Sequence, residues 1–141
     1  MMPFEYFLEI NEVKKCQKNI ELAKSLIKDM NERIEKSRML DIKVFSKMIF
    51  ENIYDSLRDF CDALLAFDGY KSYSHQASIA YLQKYGFDIS VIDEFDKHRY
   101  KRNGSKYYGQ KILEEDAVKI KDFYLMLKEK IIKLINNKKI E

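Results

Sequence analysis

Six cations, Lys97, Arg99, Lys101, Arg102, Lys106 and Lys111, fall between Lys97 and Leu113 with no acid among them. The whole chain carries a formal net charge of +3, so these six leave −3 for the remainder. Three tyrosines, Tyr100, Tyr107 and Tyr108, interleave with the cations. Charge that neutralises phosphate, set beside aromatic faces on which bases stack, is the combination that holds single-stranded nucleic acid. RNA is the candidate ligand. Read without a ligand, the same residues are long cationic side chains around a solvated turn whose edges the tyrosines anchor.

A second segment, Gly69-Tyr70-Lys71-Ser72-Tyr73-Ser74-His75, joins aromatics, hydroxyls and an imidazole just ahead of an expected helix start, where backbone N–H groups favour anions. It is a candidate for the same groove. No nucleophile or partner base stands beside His75 in the sequence, so a capping or surface role is the expectation, and His98, next to Arg99, is equally ambiguous. The carboxylate pairs Asp55 with Asp59, Asp59 with Asp62, and Glu114 with Glu115 have spacings that a highly charged helix reaches by chance, and solvated faces account for them. Glu-x-x-His pairs, glycine-rich phosphate loops, Gly-x-Ser-x-Gly elbows and His-Glu-x-x-His sets are absent, which removes the main support for most familiar enzyme classes. Cys16 and Cys61 fall inside helical patterns without a C-x-x-C pair, and two His cannot complete a zinc set with them, so both read as buried free thiols and no metal is expected.

Arg102-Asn103, Gly104-Ser105-Lys106 and Tyr107-Tyr108-Gly109 together resemble the HEPN domain family, small helical bundles marked by an Arg followed after four to six residues by a His, with a polar residue, often Asn, directly after the Arg. Upstream, Tyr73-Ser74-His75-Gln76-Ala77 through Ile79-Ala80-Tyr81-Leu82, Gly86-Phe87 and Ile89 is similar to the short helix and turn that precede this motif, and the resemblance covers about residues 40 to 135. It implies a homodimer in which Arg and His meet across the interface to cut RNA without metal, the His handling the 2′-OH proton and the Arg steadying phosphate charge. Arg102 and Asn103 match. The His does not: Tyr107, Tyr108 and Gly109 occupy the three positions where it would stand. A phenol of ordinary pKa near ~10 is a poor base at neutral pH, and bringing it to 7 would take about 4 kcal/mol of environment. The resemblance then implies a non-catalytic member that binds RNA or nucleotide, or one that serves as helical partner to a small nucleotidyltransferase, as in toxin-antitoxin or defence pairs. A metal-independent ribonuclease using a tyrosine or His98 as base is the alternative, and a plain protein-interaction subunit a third. The residues expected at the RNA or nucleotide site are Arg99, Lys101, Arg102, Asn103, Lys106, Tyr107, Tyr108 and His75, and no cofactor is implied.

The elements that must position these residues are helical. In 141 residues there are four Gly and one Pro, Pro3, too little punctuation for the turns of an all-β chain, and 46% hydrophobic residues suffice for a core. Val13, Cys16, Ile20, Ala23, Ile27, Met30 and Ile34 step by three and four and predict one long amphipathic helix from about Asn11 to Arg38. A broader arc from Val44 to Leu65, broken at Asp68-Gly69, predicts a central helix. Ser74 and Gly86 bracket a short third helix. Ser90-Val91-Ile92-Asp93 opens a fourth as a capping-box variant, and Asn103-Gly104 stops it; a hairpin at that pair is disfavoured because its flanks lack a period of two. After Gly109, the positions Ile112, Leu113, Ala117, Ile120, Phe123, Tyr124, Leu127, Ile131 and Leu134 define a last long helix with acids early and lysines late, as the helix dipole favours. No repeat or linker divides the chain, so one domain over residues 1–141 is expected: an all-α, up-and-down bundle of four to five helices. The broad second helix and the last helix carry apolar surface enough to suggest a homodimer. No signal peptide or apolar run of 18 residues appears, which points to the cytoplasm and to no membrane partner.

Overall fold

The computed structural model describes residues 1–140. It is all-α apart from one short ladder: α1 (Phe4–Glu9), β1 (Val13–Lys15), α2 (Ile20–Arg38), α3 (Ser46–Asp68), β2 (Tyr70–Ser72), α4 (His75–Ala80), α5 (Ile89–Tyr108) and α6 (Glu114–Lys138). A 3-10 turn, Tyr81–Tyr85, continues α4. Among the described residues six helices exceed the four to five expected, because α1 and the separate α4 are short elements that carry little periodicity of their own.

The centre is α3. Its apolar arc buries Phe50, Tyr54, Leu57, Phe60 and Leu64 almost completely, and α2 and α6 make its most extensive contacts, with α4 and α5 also packed against it. Gly69 ends it in the left-handed region at φ 87°, the break expected there. Gly69 also lets a second strand approach, since a Cβ on it would lie 2.8 Å from the Cys16 carbonyl oxygen. That approach explains a correction. The predicted helix from Asn11 begins only at Ile20, because residues 13–15 pair antiparallel with β2, in register Val13 with Ser72 and Lys15 with Tyr70. The Cys16 N–H then donates to the Gly69 carbonyl, and Asn19 supplies the N-cap by accepting from the Leu22 N–H at 3.0 Å. Cys16 is consequently exposed instead of buried, while Cys61 lies in the core, where burial raises its thiol pKa.

Ser74 caps α4 through the Ala77 N–H, and Gly86 closes the following turn at φ 76°, both as predicted. The opening of α5 differs from expectation: it starts at Ile89 after Asp88, so Ser90 is already inside the first turn. Its end differs more. Asn103-Gly104 does not stop α5, which runs on to Tyr108 and terminates at Gly109 with φ 69°. Gly104 sits buried in helical conformation under the Gln110 side chain, and Gln110 and Gly109 both donate backbone N–H bonds to the Gly104 carbonyl. The turn preference of Asn-Gly is worth only about 1 kcal/mol, and tertiary ties override it. Leu113 precedes α6, its N–H donating to Asp116 at 2.8 Å, with Glu114, Glu115 and Asp116 in the first turn. Among the described residues no helix is long and apolar enough to cross a membrane, and no group of His, Cys, Asp and Glu is placed to hold a metal ion.

Candidate functional site

With α5 continuous through the Asn-Gly pair, the expected site residues occupy a helix instead of a loop, and their side chains separate onto different faces. Arg102 turns inward. Its guanidinium reaches Asp55 on α3, Nη2 to Oδ1 at 3.0 Å, and lies 5.2 Å from the centre of the Tyr54 ring, leaving the side chain 14% exposed. Asp55 also faces Arg33 of α2 at 3.8 Å, and Arg33 in turn donates to Asp59 at 3.1 Å. Arg99 is held by Asp96 at 2.7 Å and lies over Tyr100. Lys101 pairs with Asp116 of α6 at 3.4 Å. Three of the six cations of the acid-free stretch are thus matched by acids from outside it.

The outward face is different. Tyr107 and Tyr108 are 66% and 81% exposed, and the Lys106 ammonium stands 5.5 Å from the Tyr107 ring centre. Lys97, Lys106 and Lys111 make no ion pair among the described residues. Asn103 is partly buried and its side chain makes no hydrogen bond among the described residues.

His75 meets the inward face. As the first residue of α4 it is half-buried, its ring roughly parallel to Tyr54, with Nδ1 3.3 Å from the Tyr54 hydroxyl. Burial, reinforced by Arg58, Arg102, Arg99 and Lys106, pushes its pKa down to about 4, so the imidazole is neutral at pH 7. Tyr54 is also kept neutral, since burial of its ring raises the phenol well above its ordinary value against the pull of Arg58 and Arg102. Arg58 lies 3.7 Å from Asp62, its buried Nε lacking a hydrogen-bond partner among the described residues, and Asp62 accepts from the Ser78 hydroxyl at 2.9 Å. Burial raises the Asp59 carboxyl to about 6 and raises Asp62 as well, in each case outweighing the nearby arginine.

The structure therefore joins Arg102 and His75 through one tyrosine, within one chain, while Tyr107, Tyr108, Lys106 and Lys111 stand apart toward solvent. His98 belongs to neither set. It is buried between Phe50 and Phe123, near Glu94 at 3.4 Å, and burial lowers its pKa. The carboxylates at Asp55, Asp59 and Asp62, expected on solvated faces, are instead half-buried partners of arginines. In the sequence Tyr54 showed only as part of the apolar arc of α3 and Asp55 only as one of a carboxylate pair, and Arg58 carried no signal. What this geometry offers chemically is a neutral imidazole and a phenol beside the Asp55-paired Arg102, with the exposed Lys106 and Lys111 left to meet an anion, and a bound phosphate would draw a proton back onto His75.

No protein-family model, no curated protein and no solved structure matches this chain. Fold and site define a class: an all-α bundle whose fifth helix carries a cationic, tyrosine-edged face.

Proposed function

We propose that this chain is a HEPN-like helical module that binds the phosphates of RNA or a nucleotide along α5, without cutting them. The observation that supports it most is the exposed set of Lys106, Tyr107, Tyr108 and Lys111 at the end of α5, with the Arg102 guanidinium fixed behind it against Tyr54. Solvent-facing Lys106 and Lys111 make the first phosphate contacts, the two tyrosines stack bases, and the inward Arg102 supplies fixed positive charge behind them. Tyr107, Tyr108 and Gly109 stand where the resemblance places a catalytic His, which favours binding over cleavage.

The test is fluorescence anisotropy of a labelled single-stranded RNA at two salt concentrations, with the products run on a gel in EDTA. Lys106→Ala and Lys111→Ala, both at exposed positions, should each lower the slope of log affinity against log salt by about one, and Arg102→Ala should weaken binding further. Unchanged affinity in all three overturns the reading.

Two observations favour other readings of the same face. His75 shares Tyr54 with Arg102, which favours a metal-independent ribonuclease acting within one chain; it predicts cleavage in EDTA that His75→Ala abolishes. Val44, Phe45 and Met48 are exposed at the start of α3, where Lys47 shares a cleft with Gly109, Gln110 and Lys111. Apolar surface at that end favours a protein partner, a second copy or a small nucleotidyltransferase, and predicts a stable complex without RNA affinity.

A further inference from the structure

A groove of about 410 Å³ lies between α2 and α6 over the first half of α3, and none of its lining residues belongs to the cluster around Arg102. Its floor is aliphatic, from Ile34, Leu40, Ile42, Ile49 and Ile53, and Tyr124 and Leu125 of α6 form one wall. The charged residues at its edge are all of one sign, Arg38, Lys121 and Lys128, and among the described residues no carboxylate lines it, although the chain has 23 acids. Arg38 reaches Glu35 on its own helix at 3.6 Å; Lys121 and Lys128 make no ion pair among the described residues. The Tyr124 hydroxyl, whose pKa burial raises and which therefore stays a donor, has no hydrogen-bond partner among the described residues. A volume within the ~300–1,000 Å³ of ligand sites, an apolar floor and a few convergent donors describe a small-molecule pocket.

We propose that this groove binds a single-chain anionic amphiphile, a medium-chain carboxylate whose alkyl tail lies on the half-exposed Ile34, Leu40 and Ile42 and whose head group is held by Lys121, Lys128 and the Tyr124 hydroxyl. Each part of the ligand answers a feature of the wall. The tail covers apolar surface that water otherwise meets, the carboxylate finds charge-assisted donors, and a neutral amphiphile of equal length leaves the two ammonium groups unmatched. An acidic peptide would also find the charge, but an aliphatic floor without a backbone-bonding edge favours an alkyl chain.

The measurement is displacement of dansyl-undecanoate fluorescence from the full chain. Saturable probe binding is expected, with decanoate displacing it about tenfold more effectively than decanol, a difference of about 1.4 kcal/mol. The double variant Lys121→Gln with Lys128→Gln, at one exposed and one half-buried position, should remove that preference and leave decanol unchanged. Leu125→Glu, on the exposed wall, should abolish decanoate binding while circular dichroism and urea unfolding confirm the fold. Equal displacement by decanoate and decanol overturns the proposal, as does a linear, unsaturable signal or a double variant that still prefers the carboxylate.

Discussion

Helices α3 and α5 are of similar length, 23 and 20 residues, yet they are held by different forces. Twelve residues of α3 are buried, mostly aliphatic and aromatic. Only four of α5 are, Ile92, Phe95, His98 and Gly104, and beyond His98 its attachment is electrostatic, through Arg102 to Asp55 and Lys101 to Asp116. The helix that carries the candidate site is thus the one whose position depends on charge, so its last two turns respond to salt, pH and bound anions in a way that α3 does not.

The largest effect belongs to the apolar side of this contrast. Phe60→Ala should lower the unfolding free energy by about 3–5 kcal/mol in urea titration, equally at low and high salt. Next comes Asp55→Ala, which leaves the mostly buried Arg102 without its carboxylate. It should lose about 1–3 kcal/mol, with amide exchange quickening mainly over residues 99–108. High salt should shrink that loss, and if it does not, the contrast between the two helices fails. If α5 binds phosphate as proposed, the same variant should bind RNA more tightly, because Arg102 is released toward the ligand.

The smallest effect is a change of slope with pH. His75 has its pKa lowered to about 4, so the unfolded chain binds the proton first, and this residue makes stability rise from pH 4 toward 6.5. Asp59 is raised to about 6, so the folded chain holds the proton longer, and this residue makes stability fall between about pH 4 and 6. The two oppose each other over nearly one window. The stability difference between wild type and His75→Gln should therefore move in favour of wild type as pH rises through that window. The difference between wild type and Asp59→Asn should move the other way. Urea titrations at half-unit pH steps read both, and parallel profiles would remove the buried cluster as their cause.

The all-α class, the end of α3, the cap at Ser74 and the glycine stops at Gly69 and Gly86 were legible because each rests on local rules: periodicity, capping and positive φ. The continuation of α5 through Asn103-Gly104 was not, because a weak local preference loses to contacts with residues far along the chain. The same holds for the start of α2, where the apolar stripe from Val13 runs on without a break although strand pairing with β2 claims its first residues. At the candidate site, the cations and tyrosines of residues 97–113 were visible as a composition. Which of them face solvent was not, because Asp55, Asp96 and Asp116, which hold three of the cations, lie outside that stretch.

The ladder joining β1 to β2 has a consequence for the order of folding. The two strands immediately flank the helical hairpin of α2 and α3, so once that hairpin closes, Val13–Lys15 and Tyr70–Ser72 already lie side by side. A pairing distant in sequence then needs almost no additional loop closure. Hairpin and clasp are therefore expected to gain amide protection together over residues 13–72 in pulsed exchange during refolding, ahead of α5 and α6, which complete the candidate site.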